Sequence, residues 1–279
     1  MAEPVENHNA IVNLIAQKFI ARSDIKAIQH PDGSYAPRHS KFTRDDILAH
    51  IRGDVTYGHY LINLENKVKL IVFDIDILKT AALPTWYTPE EGYRGFELAA
   101  PRDVWRARGL KPEDTRIMQR GYLSQQLRMM ANMLMRGVHD HLQVPTTMAY
   151  TGSKGVHVYA FTGLVEAELA QVGQQVVLDG LGTFQKKRGN NFYRHVELDT
   201  EETSFAELEV EVYPKQGDLN EGRQFGNLVR LPLGVNRHNP SHPCFFMDAR
   251  GNYGSRAIMH RDALDALTND DPWAGPCPE

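Results

Sequence analysis

Two aspartates interrupt an apolar segment whose pattern otherwise predicts a buried β-strand. In VKLIVFDIDILKT, residues 68–80, Asp74 and Asp76 are two positions apart. Because side chains alternate across a strand, both carboxylates share one face, and Phe73 and the isoleucines fill the other. Two carboxylates this close repel each other unless a cation lies between them. The pair therefore indicates a cation site, and a strand that ends in solvent is the simpler alternative.

A second acidic strand favours the cation site. AELEVEVYP alternates strictly, so its apolar residues share one face and the other face carries Glu207, Glu209 and Glu211. If this strand lies beside the first, one of the glutamates completes a set of three carboxylates. Hard oxygen ligands on a rigid sheet suit Mg²⁺ or Mn²⁺. Two such ions about 4 Å apart form the clamp used for in-line phosphoryl or nucleotidyl transfer. A solvated strand face is the alternative.

The glycine-rich turn in YTGSKGVHVYAF has the composition of a phosphate-binding turn. Gly152 and Gly155 flank Ser153 and Lys154, which places exposed backbone N–H groups beside one ammonium group. His157 follows and can donate a hydrogen bond to a phosphate. An ordinary hairpin turn with a structural histidine is the simpler interpretation. The position of the turn between the two acidic strands favours phosphate binding.

Hydrogen-bond donors surround a further apolar strand, GNLVRLPLGVNRHN. These donors are Asn227, Arg230, Asn236, Arg237 and His238. An arginine here can contact a triphosphate or a template phosphate through two parallel hydrogen bonds. Arg230 lies inside the apolar run and is hard to explain without an anionic partner. For Arg237 and His238, a surface loop is an equally simple interpretation.

The segment FQKKRGNNFYRH, residues 184–195, is basic and carries aromatic residues. Its cations are Lys186, Lys187, Arg188 and Arg194. Such a set can bind template phosphates while an aromatic ring stacks on a base. We favour the simpler interpretation, in which a helix from about residue 165 to 187 ends in basic residues near Gly189.

Composition places the chain among ordinary globular proteins. Its 279 residues are 42% hydrophobic and 24% charged, with a net charge of −4, which argues weakly against a dedicated nucleic-acid coating protein. Two cysteines are too few for a disulfide scaffold or a cysteine-rich zinc module. The polar N-terminus is not a signal peptide, and no apolar run is long enough to cross a bilayer. We therefore expect a cytoplasmic protein with no membrane partner.

Periodicity predicts alternating helices and strands, which indicates an α/β or α+β class. Helices are expected near residues 9–21, 43–53 and 115–142, with Thr43 and Gly53 capping the second. VTYGHYLINL and KVKLIVFDIDI are predicted to pair through an ENK turn, HPDGSYAPRHS to be a loop, and residues 80–115 an irregular insertion. TTMAYT, GVHVYAFTG, AELEVEVYP, GNLVRLPLGV and PCFFMD are expected to be strands, and HRDALDALTN a short helix.

The order of these motifs resembles the archaeo-eukaryotic primase superfamily. The superfamily's acid pair is similar to IVFDIDI, its small-x-His motif to GVH, and its acid in a hydrophobic strand to VEVYPKQ, which selects Glu211. ILAHIRGDVTYGHYLINLENKVKLIVFDID and GNLVRLPLG are similar to primase-polymerase domains of phages, plasmids, CRISPR-associated proteins and related mobile elements. The resemblance runs from about residue 42 to 240.

The resemblance implies a fold and a division of the chain. We expect one primase-polymerase domain over residues 1–279, in which an N-terminal α/β module packs on a catalytic module related to the RNA-recognition motif, with the active site in the cleft between them. Residues 1–66 would hold the N-terminal helices and first strand. Residues 67–250 would form the catalytic core, and 251–279 a C-terminal helix and tail.

The resemblance also implies roles for individual residues. Three carboxylates, those of Asp74, Asp76 and Glu211, would hold two Mg²⁺ or Mn²⁺ ions. The phosphates of the incoming nucleotide would bind Ser153, Lys154, Gly155 and His157, assisted by Asn227, Arg230, Arg237 and His238. Zinc is not expected, because His238, His242 and Cys244 have no convincing fourth ligand.

The implied activity is that of a DNA primase-polymerase acting in replication of a phage or other mobile element. Its expected partners are a single-stranded DNA template, a primer, dNTPs or rNTPs, and a helicase as a further candidate. Alternatives are an end-joining polymerase of the same superfamily, a two-metal nuclease or phosphohydrolase, and a non-catalytic nucleic-acid-binding module.

Overall fold

A computed structural model describes residues 5–78, 112–189, 191–201, 203–205, 208–222, 224–241, 243–247 and 263–268. These residues form five helices and eleven strands, arranged as two antiparallel sheets. The predicted mixed α+β class is confirmed. Most of the predicted irregular insertion, and the basic side chain of Arg188, lie outside the described residues.

The smaller sheet joins strands from both ends of the described chain. Its order is β10, β3, β1, β2, where β1 is Lys26–Gln29, β2 is Tyr35–Arg38, β3 is Tyr57–Tyr60 and β10 is Leu228–Arg230. The segment HPDGSYAPRHS is therefore not wholly a loop, since it contains β2. This edge strand is short, half exposed and contains a proline, so its sequence lacks the alternating signal of a buried strand.

Two helices accompany this sheet, α1 (Val5–Lys18) and α2 (Arg44–Arg52). The predicted caps of α2 are confirmed. The side chain of Thr43 accepts from the backbone N–H of Asp46 at 3.2 Å, and the Asp46 carboxylate accepts from the backbone N–H of Thr43 at 2.7 Å. At the other end Gly53 adopts φ 80°, a left-handed conformation that ends the helix without a Cβ clash.

The larger sheet has seven strands in the order β11, β5, β6, β4, β9, β8, β7. Their bounds are β4 Lys67–Ile77, β5 Thr146–Tyr150, β6 Gly155–Glu166, β7 Phe184–Arg188, β8 Phe192–His195, β9 Leu208–Tyr213 and β11 Phe245–Met247. The aspartate strand β4 is central and pairs with β6 and β9. It does not pair with β3, which belongs to the smaller sheet, so the predicted hairpin through the ENK turn is wrong.

Helices cover one face of this larger sheet. The long helix α3 (Pro112–Leu142) and α4 (Ala167–Leu181) pack on β4 and β6, and the short α5 (Ala263–Thr268) lies against β11 and α1. The apolar face of β4, which carries Ile71, Phe73 and Ile75, is fully buried there. The aspartates consequently point to the face that the helices leave open.

Helix α4 ends earlier than periodicity predicts. It stops at Leu181, and Gly182 at φ 68° donates its N–H to the carbonyls of Leu178 and Asp179. The basic residues that follow form the β7–β8 hairpin at the edge of the sheet instead of a helix end. Glycine's freedom to adopt positive φ ends the helix, and pairing of β8 with β9 then favours an extended chain.

The two sheets are held together by an aromatic cluster under α1. The Phe19 ring lies 5.0 Å from that of Tyr159 and 5.3 Å from that of Phe161, both in edge-to-face geometry. His59 of the smaller sheet packs edge-on against the same ring at 6.1 Å.

Within the described ranges, none of the helices combines the length and apolarity that a membrane crossing requires.

Two buried histidines make the fold sensitive to acid. Nδ1 of His50 accepts from the N–H of Tyr57 at 3.0 Å, and its Nε2 lies 3.1 Å from the carbonyl of Pro232, so the ring is held neutral. Burial lowers the pKa of His50 to about 4 and that of His59 to about 3. The unfolded chain protonates each of these histidines near pH 6.5.

The contribution of these two histidines to the free energy of unfolding should be fully present above about pH 6.5. It should fall as the pH drops toward the folded pKa values, because only the unfolded state gains these protons. Between pH 7 and 4.5, His59 alone should lower the free energy of unfolding by roughly 2–3 kcal/mol. Urea unfolding at both pH values should show a smaller acid loss for His59→Leu than for wild type. An equal loss in both proteins would contradict the assignment.

Candidate active site

Three predicted residues lie in one row across the larger sheet. Asp74 of β4 is in register with His157 of β6 on one side and with Glu211 of β9 on the other. Paired residues in adjacent antiparallel strands point to the same face. The strand pairing thus places Glu211 directly beside Asp74, as the resemblance implies. Asp76 lies one row further along the same face, opposite Glu209.

Each of the three carboxylates contacts a basic side chain. Nε2 of His157 lies 3.3 Å from Oδ1 of Asp74, and Nζ of Lys154 lies 2.9 Å from Oδ2 of Asp76. Nζ of Lys215 contacts Oε1 of Glu211. The acids are therefore held as ion pairs or charge-assisted hydrogen bonds.

The two aspartates differ in their affinity for protons. Burial acts to raise the pKa of Asp74, but the contact with His157 and the nearby Arg230 and Lys154 outweigh it and hold that pKa below the ordinary value. Burial and the neighbouring Asp74 carboxylate raise the pKa of Asp76, despite its contact with Lys154. Negative charge is thus incompletely balanced at Asp76, a condition that a bound cation relieves.

A buried tyrosine orients His157. The hydroxyl of Tyr159 lies 2.9 Å from Nδ1 of His157, and burial raises the pKa of Tyr159 well above its ordinary value, so its proton is retained. With the hydroxyl donating to Nδ1, a neutral ring carries its proton on Nε2 and donates to Asp74. His157 is therefore fixed in ring orientation at the edge of the acidic row.

The predicted phosphate-binding turn is anchored against the end of β4. The backbone N–H of Ile77 donates to the carbonyl of Lys154 at 3.1 Å, and Nζ of Lys154 donates to the carbonyl of Ile77 at 2.9 Å. The hydroxyl of Tyr150 donates to the carbonyl of Ser153 at 2.7 Å. These contacts place the ammonium of Lys154 beside Asp76, on the acidic face.

Two residues from the β10 segment reach the larger sheet. Nη2 of Arg230 donates to the carbonyl of Thr151, next to the turn, and its positive charge lowers the pKa of Asp74. Oδ1 of Asn227 accepts from the backbone N–H of Lys215 at 2.6 Å. The β10 segment of the smaller sheet thus approaches the turn and the Lys215 segment that contact the acidic row, and a cleft at this place stays a prediction.

Arg237 and His238 make contacts within the N-terminal part of the fold. Nη2 of Arg237 donates to the carbonyls of Gly53, at 2.7 Å, and Asp54, just past the end of α2. The ring of His238 lies close to Gly33. These contacts are structural, and participation of either side chain in nucleotide binding stays a prediction.

The basic β7–β8 hairpin extends the sheet on the glutamate side. Phe192 of β8 is in register with Glu211, so the hairpin begins directly beside the acidic row. The side chains of Lys186 and Lys187 are exposed. Template binding by these lysines, with Arg188 and Arg194, remains a prediction.

Lys215 is a site residue that the sequence interpretation missed. It follows Glu211 by four residues, and its ammonium lies 4.7 Å from the ring centre of Tyr213 and 5.3 Å from that of Phe192. The YPK sequence contains this lysine, but the sequence does not show that the turn after β9 brings its side chain back to Glu211. Tyr213, whose pKa is raised by burial and by the charges of Asp74 and Glu211, keeps its proton beside them.

The acidic row fits divalent-cation binding by its donor chemistry. Asp74, Asp76 and Glu211 supply hard carboxylate oxygens from two adjacent strands on one face. In the described part of the chain no three acidic, histidine or cysteine side chains are already grouped as a complete metal cluster. In this structure the carboxylate oxygens that a metal ion would use contact basic side chains instead.

Gly155 allows the closest approach in the site. A Cβ at this position would lie 2.3 Å from Oδ1 of Asp76 and 2.8 Å from the carbonyl oxygen of Ile75. We expect Gly155→Ala to displace Asp76 and to lower the free energy of unfolding by about 1–3 kcal/mol. Thermal unfolding with and without Mn²⁺ measures both effects, since a displaced carboxylate should also weaken stabilisation by the ion.

Gly222→Ala is the matched control for this substitution. Gly222 is exposed, and its added Cβ would meet only Oδ1 of Asn220 at an ordinary 3.6 Å. The control should stay within about 0.5 kcal/mol of wild type. If the two alanine variants proved equally stable and equally responsive to Mn²⁺, the close approach at Gly155 would be of no consequence.

Comparison with known protein families agrees with the geometry. The family described as "TOTE conflict system, Archaeo-Eukaryotic Primase domain" matches residues 12–258, which include both sheets and the whole acidic row. No curated protein sequence matches the chain significantly. The match confirms the predicted superfamily and supports an enzyme of the nucleotidyltransferase type. The chain belongs to the archaeo-eukaryotic primase domain family of the TOTE conflict system.

Proposed function

We propose that the chain is a DNA primase-polymerase that transfers nucleotides from dNTPs or rNTPs to a 3′-hydroxyl on a single-stranded DNA template. The observation that carries the proposal is the register of Asp74, His157 and Glu211 in one row, with Lys154 in contact with Asp76 of the next row. Carboxylates for metal ions and cations for phosphates are thus side by side, as transfer of a nucleoside phosphate requires.

Asp74, Asp76 and Glu211 would hold Mg²⁺ or Mn²⁺. The bound ions would lower the pKa of the attacking 3′-hydroxyl and neutralise the charge on the transferring phosphate. The hydroxyl proton would pass to solvent water, the hydroxyl oxygen would form a bond to the α-phosphorus, and the bond from this phosphorus to pyrophosphate would break. The protein's own contribution is the position of the three carboxylates on rigid strands.

The basic residues beside the row would bind the triphosphate. Lys154 is held at the end of β4 by two backbone contacts with Ile77, so its ammonium stays on the acidic face. His157 is oriented by Tyr159 and has one ring nitrogen directed to the same face. Arg230 approaches from the smaller sheet and adds positive charge at Asp74. Further candidates for contact with the triphosphate are Ser153 and Gly155, which flank Lys154, and Asn227, which accepts from the backbone N–H of Lys215. Arg237 and His238 are also candidates.

The same acids could serve a two-metal nuclease or phosphohydrolase. The cations Lys154 and Arg230, both next to the acids, favour a triphosphate substrate over a polynucleotide chain. An end-joining polymerase would share the chemistry and differ in the DNA ends that it binds. Separate assays of primer extension, DNA shortening and dNTP hydrolysis distinguish these activities.

The acidic row gives the first test. With template, primer, dNTPs and Mn²⁺, wild type should extend the primer. Asp74→Asn and Glu211→Gln should each reduce the extension rate by about a hundredfold or more, because each removes a charged ligand from the site. Glu209→Gln, which changes the neighbouring row, should reduce it far less.

Circular dichroism should show that these variants remain folded. Absence of extension by wild type, together with shortening of DNA or hydrolysis of dNTPs, would replace the proposal by the nuclease or phosphohydrolase. Full extension by Asp74→Asn would overturn the assigned site. A primase assay on circular single-stranded DNA, with rNTPs or dNTPs supplied separately, then tests initiation.

The β7–β8 hairpin gives a second test. If Lys186 and Lys187 contact template phosphates, changing both to serine should weaken single-stranded DNA binding. The slope of the logarithm of the binding constant against the logarithm of the salt concentration should become shallower by roughly one to two. Fluorescence anisotropy from 50 to 200 mM salt measures both quantities. Lys41→Ser, an exposed lysine of the N-terminal module, is the control and should leave both unchanged. Identical salt slopes for all three proteins would remove the hairpin from the template path.

A further inference from the structure

Two lysines occupy positions at the acidic row that a metal ion would also need. Nζ of Lys154 lies 2.9 Å from Oδ2 of Asp76, and Nζ of Lys215 contacts Oε1 of Glu211. Lys154 comes just before β6 and Lys215 just after β9, so both lysines lie outside the strand segments that carry the acids. We propose that Lys154 and Lys215 are internal counter-ions, which neutralise the carboxylates in the metal-free protein and are displaced when a divalent cation binds.

Lys215 forms the less exposed of the two ion pairs. Its backbone N–H donates to Oδ1 of Asn227, and its ammonium lies over the rings of Tyr213 and Phe192. Aromatic faces attract a cation, so they keep this ammonium beside Glu211 rather than in solvent. The side chains of Lys215 and Glu211 are 31% and 18% exposed, which leaves their attraction only partly screened.

Repulsion between like charges prevents a lysine and a metal ion from sharing one carboxylate. Three carboxylates on one sheet face need positive charge nearby in order to remain ionised together. An ammonium and a divalent ion that contact the same carboxylate repel each other strongly at a few ångströms. Metal binding therefore requires the lysine to leave its carboxylate, and part of the metal's binding energy offsets the lost ion pair.

The displaced lysines would then be free to contact phosphate. An ammonium released at the edge of the row has three donors for phosphate oxygens. Nucleotide would hold the lysine in its released position, which favours metal binding, and metal would in turn favour nucleotide binding by the same factor. This inference rests on the proposed metal site and adds a reason for metal and nucleotide to bind together.

The chain offers a matched control, Lys67. It also lies on the larger sheet and pairs with a glutamate across strands, at 3.7 Å from Oε1 of Glu166, and its side chain is 33% exposed. It is located at the opposite end of β4 from the aspartates. A change at Lys67 therefore removes lysine–glutamate pairs, with Glu166 and Glu65, without touching the acidic row; these pairs are more exposed than that of Lys215.

Titration with Mn²⁺, followed by the electron paramagnetic resonance signal of the free ion, gives the decisive measurement. Lys215→Met should bind Mn²⁺ about tenfold more tightly than wild type, because no ammonium competes for Glu211. Its metal-free unfolding midpoint should fall by a few degrees, and Mn²⁺ should restore it. Lys215→Arg, which keeps the charge, and Lys67→Met should bind Mn²⁺ as wild type does.

The outcomes separate this inference from the proposed function. Failure of wild type to bind Mn²⁺ at all would overturn the metal site and the proposed function with it. Binding by wild type, with equal or weaker binding by Lys215→Met, would overturn the counter-ion role alone. Should Lys215→Met not fold without metal, Lys154→Met replaces it. The expected increase in Mn²⁺ affinity for Lys154→Met is smaller, about threefold, because the side chains of Lys154 and Asp76 are 41% and 44% exposed.

Discussion

Repulsion among carboxylates on one face of the central sheet is the constraint that the surrounding structure must satisfy. Asp74 and Asp76 share a face because they are two residues apart on β4, and pairing with β9 adds Glu211 to the same face. Basic groups come from four separate places, namely the β5–β6 turn, β6, the segment after β9, and β10. The arrangement concentrates negative charge on one face of the sheet and offsets it with basic side chains.

The two sheets depend on each other at this point. Strand β10 comes late in the sequence but completes the smaller sheet by pairing with β3. Its Arg230 then contacts the carbonyl of Thr151 in the larger sheet, and Phe19 under α1 packs between the two sheets. A site built from both sheets therefore forms only when distant parts of the chain have already paired, which ties its geometry to the whole fold.

Local patterns predicted much of this architecture. The capped helix from Thr43 to Gly53 and the alternating strand of β9 follow from neighbouring residues, and both are confirmed. The helix predicted through residue 187 was wrong because Gly182 ends it and an edge strand takes up the basic residues. The predicted pairing of β3 with β4 was also wrong, since nearness in sequence did not decide the partner of either strand.

The sequence by itself determined that Asp74 and Asp76 share a face, because alternation of side chains along a strand is a local property. It also placed a glycine, a lysine and a histidine in one short segment, and its motif order indicated the superfamily. Only the tertiary structure decided that Glu211 stands beside Asp74 and that Lys215 turns back onto Glu211. Strand register and the path of a turn depend on long-range pairing, and no local pattern of residues contains that information.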